Sequence, residues 1–93
     1  MGETMNAITA DYDRSADVFY FTIGDEGAPS EYEDTQYGVT IRYAASNRHP
    51  IGVIVVGYDQ YGWASDTKRL ARVIGELLSM PVGEVDEAIS KIH

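Results

Sequence analysis

The sequence predicts an α+β domain in which a four-stranded, mainly antiparallel β-meander is followed by two helices packed on it. Strand-like apolar patterns fill residues 7–58, and the period then changes to that of amphipathic helices. No repeat or linker divides the 93 residues, so we expect a single domain, 1–93. Within it we expect a loose N-terminus at 1–6, the sheet at 7–58 and a helical hairpin at 65–92.

The first two strands are predicted from alternating side chains. "AITADY" alternates apolar with polar residues, and "VFYFTI" is β-branched or aromatic almost throughout. "DRSA" between them has turn chemistry, and "GDEGAPS" after them is a loop. The charged "EYEDTQ" is a candidate short edge strand.

The later strands differ in how they are buried. "YGVTIRY" has one apolar face, whereas "IGVIVVGY" is apolar on both faces. A strand of the second kind needs cover on both sides, so we place it centrally. Because the chain is short, we also expect a homodimer that provides part of this cover.

The helices follow from apolar spacing. The first is predicted by residues at helical intervals, with Ser65 or Asp66 as its N-cap. Gly75 costs this helix about 1 kcal/mol relative to alanine, so tertiary packing must hold it. Pro81 ends it, and a second short helix follows. The apolar positions are Leu70, Val73, Ile74, Leu77 and Leu78, then Val82, Val85, Ile89 and Ile92.

Charge is concentrated at the N-terminal side. Residues 1–34 contain nine acidic residues and one base, Arg14, and they carry the whole net charge of −8. Such a field repels nucleic acid and anionic membranes, and it either keeps the domain soluble or attracts a basic protein partner. The two predicted helices have the spacing of a helix-turn-helix, but residues 82–93 have too few bases to approach phosphates.

Several classes of function are disfavoured by composition. There is no cysteine, which excludes disulfides and thiolate chemistry and favours a reducing cytoplasm. No apolar run approaches the roughly 20 residues of a membrane span. His49 and His93 stand apart from any serine–acid or metal-ligand pattern, so we expect neither an enzyme nor a cofactor.

The stretch "DYDRSAD" places Asp11, Asp13 and Ser15 at the spacing that opens a calcium-binding EF-hand loop. The glycine expected next is Ala16, and the bidentate glutamate expected at the end is Thr22. We therefore interpret the stretch as a turn between strands, held by Asp and Ser side chains on nearby N–H groups.

Residues 7–58 resemble the domain-of-unknown-function family 2283. The similarity rests on "YDRSADVFYFTI", on Gly38 and Val39 opening a strand, and on "IGVIVV". The resemblance implies a small bacterial antiparallel sheet without assigned enzymatic activity, in some cases encoded beside a toxin-like partner. The family's usual acid in the last strand is Ile54 here, which implies that this face is covered by the helices or by a second subunit.

Two clusters are candidate interaction surfaces. Lys68, Arg69 and Arg72 oppose the dipole of the first helix; they are either a solvated face or a site for the acidic half of another copy. Aromatic residues before this helix are either interface anchors or a cap on the core, namely Tyr58, Tyr61 and Trp63.

The sequence thus favours a non-enzymatic protein-interaction domain, antitoxin-like or regulatory. The alternative is a small-molecule or metal-binding domain. A tyrosine-lined pocket between sheet and helices would favour the alternative, whereas a flat exposed apolar patch would favour a protein partner.

Overall fold

A computed structural model describes residues 8–24 and 27–92. The predicted loose segment 1–6 lies outside these residues. In chain order the described part contains five strands, a short 3-10 turn and two helices. These are β1 Ile8–Asp13, β2 Val18–Ile23, β3 Ser30–Asp34, β4 Val39–Ala44, β5 Pro50–Val56, the 3-10 turn Trp63–Ser65, α1 Thr67–Leu78 and α2 Val82–Ser90.

The predicted α+β class and antiparallel sheet are confirmed, but the count of four strands is wrong. The additional strand is β3, the charged stretch that the sequence offered only as a candidate edge strand. Four of its five residues are exposed. A strand without a buried face has no apolar alternation, which is why its pattern is weak.

The predicted meander, in which each strand pairs with the next in the chain, is also wrong. The strand order is β1-β2-β5-β4-β3. All neighbouring pairs are antiparallel, and β5 lies between β2 and β4. Val53 is the Cα partner of Phe21 on one side and of Ile41 on the other. The predicted central position of this strand is therefore confirmed, while the chain reaches it by crossing from β2 to the far edge at β3.

The core lies between one face of the sheet and the two helices. Phe19, Phe21, Val53 and Val55 are completely buried on the sheet side. From the helices they meet fully buried aliphatic residues, namely Leu70, Ile74, Val85 and Ile89. Burial of each large apolar side chain is worth about 1.5–3 kcal/mol, so this single layer of contacts is the main source of stability.

The helical hairpin depends on a close approach of the α1–α2 turn to α1 at Gly75. Asp66, one of the two residues predicted as the N-cap of α1, does cap this helix. Its side chain accepts a hydrogen bond from the N–H of Arg69. At the other end, the N–H of Met80 donates to the carbonyl of Gly75 at 2.9 Å. A Cβ at Gly75 would lie 3.0 Å from the Met80 carbonyl oxygen and 3.2 Å from Val82 Cγ2. The glycine thus permits the tight turn between α1 and α2.

The turn before β4 is held against the end of β5 by Gly38. Its φ is 78°, and its carbonyl accepts a hydrogen bond from the N–H of Val56 at 2.9 Å. A Cβ at Gly38 would lie 1.9 Å from the Val56 carbonyl oxygen. Only glycine satisfies both the backbone conformation and this contact.

We predict that Gly38→Ala is more destabilising than Gly62→Ala. Both glycines have positive φ, 78° and 87°, but a Cβ at Gly62 meets no described atom within 4 Å. Gly62→Ala should therefore cost about 1–2 kcal/mol for the left-handed backbone alone. Gly38→Ala should cost about 1–3 kcal/mol more because backbone must shift. Urea denaturation of both variants measures the difference, and equal losses would contradict the proposed clash.

Candidate functional site

The face of the sheet opposite the helices is open to solvent; we call it the open face. It carries the residues that alternate with the core positions of each strand. Tyr20 is 40% exposed, Tyr32 60% and Val56 52%, whereas Ile54 is half-buried. The helices therefore do not provide the cover that the sequence suggested for Ile54, and cover by a second subunit stays a prediction.

One row of residues crosses all five strands of the open face, and we call it the band. Pairing of Cα partners places Asp11 beside Tyr20, Tyr20 beside Ile54, Ile54 beside Thr40 and Thr40 beside Asp34. The Thr40 hydroxyl donates to Asp34 Oδ1 at 2.8 Å. The band therefore has an exposed carboxylate on each edge strand and apolar surface toward its middle.

A groove lies beside the band, next to a row of residues that lacks a side chain at its centre. That row contains Thr9, Thr22, Gly52, Arg42 and Tyr32. A Cβ at Gly52 would lie 2.6 Å from the Phe21 carbonyl oxygen, so the gap cannot be filled without moving backbone. The cavity has a volume of about 360 Å³ and is lined by Thr9, Asp11, Tyr20, Thr22, Tyr32, Arg42 and Ile54.

Arg42 belongs to the open face but is shielded from solvent. It is 7% exposed. Its Nε donates to Ser30 Oγ at 2.7 Å, and its Nη2 donates to the Ala28 carbonyl at 3.0 Å. The guanidinium thereby ties β4 to the start of β3. The exposed charges of the band, by contrast, are the carboxylates of Asp11 and Asp34.

Two further aromatic rings lie where β4 begins and β5 ends. Tyr37 and Tyr61 pack edge to face with ring centroids 6.5 Å apart. A Cβ at Gly38 would lie 3.2 Å from the Tyr61 ring, which places the pair beside Val56. Six large hydrophobic side chains are exposed in the described part of the chain, and only Val82 is on a helix. The other five lie on the open face or at its end: Tyr20, Tyr32, Tyr37, Val56 and Tyr61.

The stretch that resembles the start of a calcium loop forms the predicted turn between β1 and β2. Asp13 Oδ1 accepts hydrogen bonds from the N–H and hydroxyl of Ser15, at 3.1 and 2.8 Å, and from the N–H of Ala16. The Ser15 hydroxyl, followed by the Ala16 N–H, lowers the pKa of the Asp13 carboxyl below its usual value. This carboxylate therefore has a structural role within the turn.

Asp17 joins this turn to the segment after β5. Its Oδ1 accepts from the Tyr12 hydroxyl at 2.7 Å and from the Asp59 N–H at 2.8 Å, and its Oδ2 accepts from the Gln60 N–H at 3.1 Å. The Asp59 N–H, followed by the Tyr12 hydroxyl, lowers the pKa of the Asp17 carboxyl. The same hydrogen bond to Asp17 raises the pKa of Tyr12. The Asp17 side chain thus connects the β1–β2 turn to Asp59 and Gln60, which lie 42 and 43 positions further along the chain.

Of the predicted aromatic cluster, Tyr58 and Trp63 are part of the core. Tyr58 is 1% exposed and stacks on Phe19, with ring centroids 5.2 Å apart. Burial raises the pKa of Tyr58 to about 12. Trp63 is 5% exposed, and its Nε1 donates to the Tyr37 carbonyl at 3.1 Å. Only Tyr61 among the three is available to a partner in this structure.

The predicted basic cluster lies on α1, in the layer that covers the other face of the sheet. Lys68 Nζ is 3.6 Å from Asp86 Oδ2 of α2, and the Arg69 guanidinium lies 5.1 Å from the centre of the Trp63 ring. Arg72 is exposed beside Lys68 at a groove between the helices. The structure therefore does not bring these cations together with Ile54 or the exposed tyrosines of the open face.

Sequence reasoning did not single out Tyr20, Tyr32, Gly52 or the pair of Asp11 and Asp34 as one surface. A signal for Tyr20 was present, since it alternates with Phe19 and Phe21 and so points away from the core. For Asp11 and Asp34 the signal is absent, because their shared row depends on the strand order.

Other kinds of site find little support in the described residues. Among 8–24 and 27–92, no group of three or more His, Asp or Glu side chains is arranged to hold a metal ion. His49 is exposed before β5, and His93 lies outside the described residues. None of the helices within these residues is long and apolar enough to cross a membrane. Comparisons with protein-family models, curated proteins and solved structures gave no match.

We predict that Asp17→Asn lowers stability and weakens its dependence on pH in acid. The folded pKa of Asp17 is lowered from 3.8, so its contribution is present above that pH and is lost as pH falls through the folded pKa. Asparagine tolerates the φ of 57° at this position, but it has one acceptor oxygen where Asp17 uses two, so the change removes the charge and at least one hydrogen bond. Urea midpoints at pH 7 and pH 3 measure the effect. A variant with the wild-type midpoint at pH 7 would contradict this role.

Proposed function

We propose that this chain is a non-enzymatic protein-interaction domain that binds another protein through the open face. The observation that supports this most directly is the distribution of exposed apolar surface. Five of the six large hydrophobic side chains exposed in the described residues belong to this face or its end. Exposed apolar side chains concentrated on one surface favour an interaction site, and tyrosine is among the residues that contribute most to binding energy.

The shape of the surface favours a protein over a small molecule. The groove beside the band is a shallow opening on the face of the sheet, and Tyr20 and Tyr32 are among the residues that line it. The cavity at the end of the sheet beside the α1–α2 turn has a volume of about 570 Å³ and no tyrosine in its lining. Neither corresponds to the enclosed tyrosine-lined pocket between sheet and helices that would favour the small-molecule alternative.

An antitoxin-like or regulatory role is the specific form of this proposal. It is supported by the resemblance to family 2283 and by the net charge of −8, which suits a basic partner. The absence of cysteine is compatible with a reducing compartment such as the cytoplasm. Homodimer formation through the same face is the competing outcome, since Ile54 on β5 is only half-buried.

The test compares two variants in affinity capture from a lysate of the source organism, with quantitative mass spectrometry. The open-face variant combines Tyr20→Ser with Tyr32→Ser. The matched control is Val82→Ser, which removes an exposed apolar side chain from α2. Exposed substitutions of this kind usually change stability by only about 0.5 kcal/mol, so both variants should fold.

We expect the open-face variant to lose a specific partner by about tenfold or more, equivalent to roughly 1.4 kcal/mol, while the control retains it. Solution mass measured in parallel identifies a homodimer, because the monomer is 10.3 kDa. A wild-type dimer that becomes monomeric only in the open-face variant would make the second copy the partner. A partner retained equally by both variants would refute the assignment of the open face.

A further inference from the structure

We infer that the open face binds an extended, basic peptide segment that crosses the strands along the band, with two cations about six residues apart. This inference rests on the proposed function and specifies its partner. The relevant observation is that the band ends in a carboxylate on each edge strand, Asp11 on β1 and Asp34 on β3, with Tyr20 and Ile54 between them.

The electrostatic argument follows from where the acidic part of the chain lies in the sheet. Residues 1–34 carry the entire net charge of −8, and they supply both edge strands, β1 and β3. Arg42 is the base on the open face nearest the band, and it is shielded by its hydrogen bonds to Ser30 and Ala28. The exposed charge at both ends of the band is therefore negative, which complements a cationic segment.

The length of the segment follows from the spacing of the strands. Asp11 and Asp34 are separated by four strand-to-strand steps. At about 4.8 Å per step their Cα atoms are about 19 Å apart, the distance that an extended chain covers in about six residues. Residues between the two cations would contact Tyr20 and Ile54, so apolar side chains facing the sheet fit the middle of the segment. Tyr20 and Tyr32 are also exposed aromatic side chains of the open face, a residue type that attracts lysine or arginine.

The depression beside the band is local. Only Gly52 lacks a side chain in the neighbouring row, while the other positions are filled by Thr9, Thr22, Arg42 and Tyr32. The segment therefore lies on the side chains of the band, where an extended chain turns every second side chain toward the sheet.

A second copy of this chain is a poorer occupant of the open face. In an aligned face-to-face pair, a two-fold axis places β1 of one copy over either β1 or β3 of the other. Where the bands of the two copies overlap, carboxylates meet carboxylates at the edges in both arrangements, because Asp11 and Asp34 are both acidic. Like charges placed opposite one another oppose association.

The probe is the peptide acetyl-Lys-Thr-Val-Thr-Val-Thr-Lys-amide, which presents two lysines and two valines on one side when extended. Two peptides serve as controls: one has glutamate in place of both lysines, and one has the same composition with the two lysines two residues apart. Binding is measured by titration of the labelled full chain, following backbone NMR shifts of Tyr20, Ile54 and Gly52 at low salt.

The variant that tests the band combines Asp11→Asn with Asp34→Asn. Asparagine keeps the acceptor oxygens that Asp11 offers to the Tyr12 N–H and that Asp34 offers to the Thr40 hydroxyl, at 2.9 and 2.8 Å. The matched control combines Glu76→Gln with Glu87→Gln, which makes the same change in net charge on exposed helix positions. Melting temperatures within about 2 °C of the wild type verify that both variants fold.

We expect the spaced basic peptide to bind the wild type with a Kd below about 1 mM and to bind the band variant at least about tenfold more weakly. The helix control should stay within about twofold of the wild type, because screening limits distant charges. The acidic peptide should not bind, and the closely spaced peptide should bind several-fold more weakly. Shifts should be confined to the open face.

Three results would overturn the inference: no binding of the spaced peptide, equal binding of the acidic peptide, or equal losses in the band variant and the helix control. Equal binding of the two basic peptides would contradict the inferred spacing of about six residues between the two cations. If the peptide fails but capture still depends on Tyr20 and Tyr32, the interaction domain stands and its partner is not basic. If capture is also independent of Tyr20 and Tyr32, the proposed function itself is wrong.

Discussion

The hydrogen bonding of β5 to β2 on one side and β4 on the other is the constraint on which the rest of the structure depends. It makes an apolar strand central, with Val53 and Val55 completely buried under the helices. Because α1 and α2 follow β5 in the chain and cover this one face, the opposite face is left to solvent. The same strand order sends the acidic strands β1 and β3 to the two edges. Core, open face and acidic edges are thus consequences of one arrangement.

Much of the fold could be predicted from local pattern. The helical period, the cap at Asp66 and the stop before Pro81 were all recognisable, because each depends on residues within a few positions of one another. The central position of β5 was recognisable because it is apolar on both faces. The strand order was not, since the crossing from β2 to β3 leaves no periodic signal, and β3 has no buried side chain to reveal it.

The candidate site was less accessible to sequence reasoning for the same physical reason. Asp11 and Asp34 lie in one row only because of the order and register in which β2, β5 and β4 pair between their strands. Arg42 alternates like a surface residue, yet it is buried by bonds to Ser30 and Ala28, more than ten positions away. Tyr58 has the composition of an interface anchor, but its ring stacks on Phe19 in the core. In each case the outcome depends on a contact distant in the chain.

The crossing between β2 and β3 also has a consequence for how the protein is made. Without β5, the pairs β1–β2 and β3–β4 are separate hairpins that share no hydrogen-bonded ladder. β5 unites them through partners such as Thr22 with Gly52 and Val18 with Val56, which are 30 and 38 positions apart. Contacts between such distant positions form late because loop closure must come first. Until the fifth strand has left the ribosome, no hydrogen-bonded ladder of the described sheet can join the first two strands to the next two.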